Sequence, residues 1–153
     1  MAREVVLVSG VRTAIGTFGG SLKDIPPVDM AATVVKEVLA RAKVEGKDVG
    51  HVVFGHVVNT EPRDMYLSRM AAINGGCPIE TPAMNVNRLC GSGLQAIISA
   101  SQGILLGDCD VAIGGGAENM SRAPYASLNT RWGARMGDTT LVDMMVGALH
   151  DPF

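Results

Sequence analysis

The chain has 153 residues, 47% of them hydrophobic, with a formal net charge of -2. That supplies enough apolar side chain for one real core, and the nearly balanced, slightly acidic charge gives no electrostatic reason to expect a nucleic-acid surface. Three cysteines, at 77, 90 and 109, have neither an even count nor metal-ligand spacing, so the composition reads as a reduced, cytoplasmic protein without a disulfide frame or a metal site.

The opening MAREVVLVSGVRT carries charge and then a strand-like run, without the long apolar segment and cleavage site of a signal peptide. Within it Glu4–Gly10 is β-branched and ends on Gly, as a buried strand does. Val28–Ala42 follows Pro26-Pro27 and sets Met30, Val34, Val38, Leu39 and Ala42 on one face, which predicts a surface helix. His51–Val58 repeats the buried-strand pattern, and Asp64–Asn74 reads as a helix closed by Gly75-Gly76. Pro82–Asn87 is a short strand leading into a run without Asp, Glu, Lys or Arg from Gly91 to Gly107. There Leu94, Ile97, Ile98, Ile104 and Leu105 recur at helical spacing, and Ala and Ser fill most of the remainder. A helix with no solvated face is expected to be buried on several sides, with Cys90 deep inside at its N-terminal end. The run is interrupted by Ser, Gln and Gly and is too weak for a membrane span.

Asp110–Met120 is a last strand breaking into a Gly-rich turn. Alternating strands and helices predict an α/β layered fold with largely parallel pairing. Beyond Glu118 the chain mixes Arg, Asp, Pro and Gly with the only Trp, shows no strand period, and offers one helix near 141–149. It stops at Phe153 just after that helix, and reads as interrupted.

A free cysteine is ordinarily a small buried hydrophobe, and Cys77 and Cys109 fit that reading. Cys90 differs, because it stands where a strand turns into a helix. The helix N-terminus offers unpaired N–H groups and positive dipole, and both favour a thiolate. Gly91 and Gly93 leave room for close approach. The dipole contributes only about 0.3–1 kcal/mol, or ~2 when partly buried, against about 1.36 kcal/mol per pKa unit. A reactive Cys90 therefore needs a base. His51 and His56 lie in or at the end of a strand, neither aimed at Cys90, and are read as structural; His150 is read as solvent-exposed.

The segments NRLCGSGLQA, GGGAENMSRAPY, RMGD followed by LVD, and the opening SGVRTAIGTFGGSL stand in order along the chain. Together they resemble the N-terminal part of a thiolase, most nearly the bacterial biosynthetic β-ketothiolases of the acetyl-CoA acetyltransferase group. The resemblance implies that Cys90 is the nucleophile that becomes an acyl-thioester and hands the acyl group to a second acyl-CoA. CoA thioesters would then be the substrates, with no further cofactor.

It also implies two similar α/β halves in a five-layered αβαβα sandwich, with the Cys90 helix in the central layer. Residues 1–117 would be the N-terminal half and 118–153 the start of a loop region. The family's base and second cysteine lie in later Asn-Glu-Ala-Phe, Gly-His-Pro and Cys-x-Gly motifs that are not in this sequence. The partners implied are therefore acyl-CoA or CoA, the remaining C-terminal half, and further copies in a dimer or tetramer, with no nucleic acid and no membrane. By the same resemblance Asn87 and Arg88 shape the turn and the dimer contact, Trp132 and Met136 are covered in the assembly, and Leu149 is a candidate pantetheine contact. NTEPRDMYLSRMAA departs from the Gly-Gln-Asn-Pro-Ala-Arg many thiolases carry there. A decarboxylating ketosynthase, a dinucleotide-binding domain (from GGGAEN) and a non-catalytic association module are the competing readings; the second lacks the spaced glycine pattern.

Overall fold

The computed structural model of the chain describes residues 3–153; the first two residues of the 1–117 segment lie outside it. Three strands, β1 (His51–Gly55), β2 (Ala83–Val86) and β3 (Ala112–Gly116), form a parallel sheet in the order β2-β1-β3. Parallel strands need crossovers. Helix α2 (Leu67–Gly75) carries the chain from β1 to β2, and α3 (Ser92–Leu106) from β2 to β3. Helix α1 (Pro27–Ala42) precedes β1 and packs beside α2. The result is three layers, with α1 and α2 on one face of the sheet and α3 on the other.

The central strand shows why. Val52 and Phe54 enter the core with Val28, Val35, Leu39, Leu67, Ala71 and Ala72, while Val53 points the other way onto Ala96 and Ala100 of α3. Small residues set the second contact. A Cβ on Gly114 would stand 2.7 Å from the Ile97 Cα, and one on Gly55 would stand 2.5 Å from the Ser92 carbonyl carbon. The glycines after Ile113 thus let a helix lie directly on the strands.

Several expectations change. Glu4–Gly10 forms no strand. Val6, Leu7 and Val8 stay exposed, because a strand exists only with a ladder partner and nothing pairs with this segment among the described residues. It is held at its start by Arg3, whose Nη1 lies 2.7 Å from Asp110 Oδ1. Beyond that point it spans a cavity of about 1020 Å³ lined by Val6, Val8, Met30, Val34, Ile104 and Ile113. In α1, Val28, Ala31, Val35 and Leu39 carry the buried stripe, while Met30, Val34 and Val38, one residue before the last three, are only partly buried.

Helix α3 is not enclosed, and Cys90 is exposed rather than deep inside. Ser92, Ala96 and Ala100 are buried against the sheet, whereas Leu94, Ile98, Leu105 and Leu106 face outward. An all-round apolar pattern says that a helix requires cover, not that the cover lies in the same stretch of chain. The window Leu89–Leu106, with mean hydropathy 1.3, is apolar enough for a membrane span by composition. The helix itself has 15 residues, or about 22 Å at ~1.5 Å per residue, short of a hydrocarbon core of about 30 Å, and it lies on the sheet.

Past Glu118 there are two strands where none was expected, β4 (Tyr125–Ala126) and β5 (Val142–Asp143), in a two-residue antiparallel ladder. The helix α4 is only Met144–Ala148, N-capped by Asp143. Pairs so short leave no period to read.

Candidate active site

Cys90 sits on the turn between β2 and α3, at the carboxyl edge of the parallel sheet, where α/β folds bind ligands. The turn is built from its own side chains. Asn87 Oδ1 accepts the Leu89 N–H at 3.0 Å, and the Arg88 carbonyl accepts the Gly91 N–H at 3.1 Å. Ser92 Oγ accepts the Arg88 N–H at 2.9 Å and donates back to the Leu89 carbonyl. Arg88 Nη1 donates to Gln95 Oε1 at 2.6 Å. These bonds hold Leu89 at φ 46°, a left-handed conformation that costs an L-residue about 1–2 kcal/mol. Strain of this kind persists only where the surroundings over-determine it, and it turns the next side chain, Cys90, outward.

Gly91 caps α3 without a side-chain hydrogen bond, and no acid stands in its first turn. The Ser92 N–H is taken by the Leu89 carbonyl at 3.0 Å, so the helix start acts in front of Cys90 through its positive dipole end, which favours negative charge there. Among the described residues no hydrogen bond reaches the Cys90 sulfur. The other thiols differ in setting. Burial pushes the Cys77 thiol pKa up, and burial followed by the Asp108 and Asp110 charges pushes Cys109 up against the opposing Arg3.

Three strand ends meet here. His56 follows β1, Cys90 lies four residues beyond β2, and Glu118 lies just past β3. The His56 side chain is enclosed, with Nδ1 2.8 Å from the Ala117 carbonyl. Glu118 accepts the Val57 and Val58 N–H groups at 2.9 and 3.1 Å. Asp64, fully buried, accepts from the Thr60 N–H and hydroxyl at 2.6 and 2.7 Å and from the Glu61 N–H at 3.2 Å. Gly114–Gly116 lie within β3 rather than in the turn the sequence suggested, and the segment after the strand is a staple rather than a nucleotide loop. Asn119 Nδ2 donates to the carbonyls of Leu22, Lys23 and Ile25 at 2.8–3.2 Å, and Arg122 reaches the Asp24 carbonyl and Glu61. Among the described residues no cluster of His, Cys, Asp and Glu has the form of a metal site.

Asn87 and Arg88 therefore shape the turn, as the sequence indicated. Leu149 follows α4 and is 60% exposed. Trp132 and Met136 are almost wholly exposed, and His150 is exposed with Nδ1 2.8 Å from the Val146 carbonyl. Sequence reasoning passed over the His56–Asp64–Glu118 group and the Asn119 staple. One signal was present: Glu61-Pro-Arg-Asp64 is a capping-box spacing, and the structure forms that box.

The sequence profile described as Thiolase, N-terminal domain, matches residues 5–153. Over its full 153 residues the chain is 74% identical to the beta-ketothiolase BktB of Cupriavidus necator, and it spans 39% of that protein's length. The crystal structure of the Bacillus anthracis acetyl-CoA acetyltransferase superposes with a TM-score of 0.92 at 39% identity, over 99% of this chain and 38% of that one. Human mitochondrial 3-ketoacyl-CoA thiolase, solved in complex with CoA, gives a TM-score of 0.85 at 39% identity, over 89% of this chain and 35% of that one.

Proposed function

The chain belongs to the thiolase family, as its N-terminal domain, and from that premise we propose that it carries the acyl-accepting nucleophile, Cys90, of an acyl-CoA C-acyltransferase. One observation carries the reading. Cys90 is exposed on an over-determined strand-to-helix turn, at an uncapped helix N-terminus.

In the proposed reaction the Cys90 thiolate attacks the thioester carbonyl of an acyl-CoA. The carbonyl electron pair moves onto oxygen, and the N–H of Cys90 itself is the proposed donor to that oxyanion. Collapse forms the acyl–Sγ bond and breaks the acyl–sulfur bond to CoA, which leaves as thiolate and takes up the proton that Cys90 gave to a base. In synthesis the acyl group then passes to the α-carbon of a second acyl-CoA after loss of its α-proton. In thiolysis the path reverses: Cys90 attacks the 3-keto carbon, the carbon–carbon bond breaks as the departing acetyl-CoA carbanion takes up a proton, and a CoA thiolate then takes the acyl group from Cys90. The chemistry requires CoA thioesters, a base and oxyanion donors, and no other cofactor.

The base and the α-proton acceptor belong, in this reading, to the C-terminal remainder, since nothing described hydrogen-bonds the Cys90 sulfur. Residues 1–153 by themselves are then inactive, with 1–117 as the α/β half and 118–153 as the start of a loop region. That division is supported by the end of the sheet at Gly116 and the short ladder beyond it. A homodimer or tetramer is supported by the outer edge of β2, which pairs with no strand among the described residues. Trp132, Met136 and Leu149 are proposed to be covered, Leu149 by the pantetheine arm. Three free cysteines agree with a cytoplasmic setting.

Incubation of the full-length protein with acetyl-CoA alone, followed by peptide mapping, tests the assignment. The acetyl group should be found on Cys90, and Cys90→Ser should abolish transfer. Label on Cys77 or Cys109 instead, or transfer by Cys90→Ser, would remove Cys90 as nucleophile. Loading from an acyl carrier protein but not from acetyl-CoA would turn the reading to a ketosynthase.

A further inference from the structure

His56 is a buried titratable group that acyl transfer at Cys90 does not use. Its side chain is 1% exposed, and that of Asp64 is 0%. The Ala117 oxygen can only accept, so Nδ1 carries a hydrogen and donates to it; Glu118 Oε1 lies 3.3 Å from the same nitrogen. Nε2 is buried without a hydrogen-bond partner and lies 3.9 Å from Asp64 Oδ2, and Asp64 Oδ1 is also unpartnered. The ring is thus tied to β3 through Nδ1, while Nε2 faces the Asp64 carboxylate beyond hydrogen-bond length.

The charged groups recorded against the ring are Asp64, from the 3-10 turn Pro62–Tyr66, and Glu118, after β3. From β2 the Val86 carbonyl accepts the His56 N–H at 3.0 Å, and the first turn of α3 brings only the neutral Ser92 near β1. The nearby cation, Arg122, is engaged by Glu61 at 3.1 Å and by the Asp24 carbonyl.

We propose that His56 is a positioning residue for Cys90, enclosed between Asp64 and Glu118 and bonded to the Ala117 carbonyl so that the ends of β1 and β3 clamp the turn bearing the nucleophile. The mechanical path is short. Gly55, next to His56, already touches Ser92 so closely that a Cβ would stand 2.5 Å from its carbonyl carbon. Ser92 Oγ in turn fixes Arg88 and Leu89 on either side of the strained bond before Cys90. Asp64 is tied to the same turn from β2, because its carbonyl accepts from Asn85 Nδ2 at 3.1 Å. Loosening either carboxylate contact frees the end of β1 to shift against Ser92.

The proposal rests on Cys90 being the nucleophile, and the test separates the two claims. Both are read in the full-length protein. His56→Gln should slow acetylation of Cys90 by about 10- to 100-fold, the scale of a reacting group displaced by ~1 Å, while the KM for acetyl-CoA changes less than about two-fold. Asp64→Asn should slow it in the same sense, and the double variant should be little slower than either single one.

An unchanged acetylation rate in His56→Gln overturns the proposal, even with a lowered Tm, since that is a packing role only. Should His56→Gln fail to fold, Asp64→Asn decides by the same two readings. If Cys90→Ser abolishes transfer while the His56 and Asp64 variants retain it, only the positioning claim falls; if Cys90→Ser retains transfer, both fall.

Discussion

Cys77, Cys90 and Cys109 share one functional group in three settings, and the settings predict their chemistry. Cys77 is 5% exposed in the α1/α2 core and Cys109 lies between two aspartates, so both thiols are held towards the protonated form. Cys90 is exposed before a helix N-terminus. In the full-length protein iodoacetamide at neutral pH should label Cys90 first, and acetyl-CoA should protect it; equal labelling of all three by peptide mapping would contradict this. A raised folded-state pKa has a stability consequence with a definite sign. For Cys77 the contribution is fully present below the unfolded value of about 8.5 and is lost as pH rises through the higher folded value. The urea midpoint should therefore fall on the alkaline side of that range, and fall less in Cys77→Ala, as equilibrium unfolding at stepped pH would record.

Helix α3 meets the sheet through an absence of side chains. Gly114 has the Ile97 Cα and N within 2.7 and 3.0 Å of where its Cβ would be, both backbone atoms that cannot rotate away. Gly114→Ala should destabilise by about 1–3 kcal/mol, the usual cost of overpacking, measured by urea denaturation. Gly147, inside α4, has nothing within 4 Å of the same position, so Gly147→Ala should be neutral or stabilising by up to about 1 kcal/mol. Equal effects of the two substitutions would show that the close approach does not govern α3. The glycine run after Ile113 was legible in the sequence as a special backbone; that it cradles a helix was not, because Ile97 lies seventeen residues away along the chain.

At the scale of the molecule, two apolar surfaces await partners. One is the outward side of α3, with Leu94 and Leu106. The other is the cavity between Val6–Val8 and the free edge of β3, where a segment with the composition of a strand lies without a ladder. Hydrogen exchange should find the Val5–Val8 amides unprotected in residues 1–153 alone and protected in the full-length protein, where a further strand would complete the ladders on both sides of the cavity. Fast exchange in both would show the segment to be no strand at all. Expressed alone, residues 1–153 should also bind a hydrophobic dye that the full-length protein excludes.

Local pattern alone determined the helix over 28–42, a strand within 51–58 and another within 82–87, the uncharged helix before Gly107, and the turn that singles out Cys90 from its siblings. Those features rest on periodicity, caps and neighbours within a few residues, which a sequence carries directly. Tertiary structure decided the rest. It left Glu4–Gly10 unpaired, because a strand depends on a remote ladder. It rotated the buried face of α1 by one residue, because α2 lies beside it, and it exposed Cys90, because burial is a property of what surrounds a helix rather than of the helix. It also enclosed His56 between Asp64 and Glu118, eight and sixty-two residues onward, since only the parallel order of three strands brings their carboxyl ends to one edge.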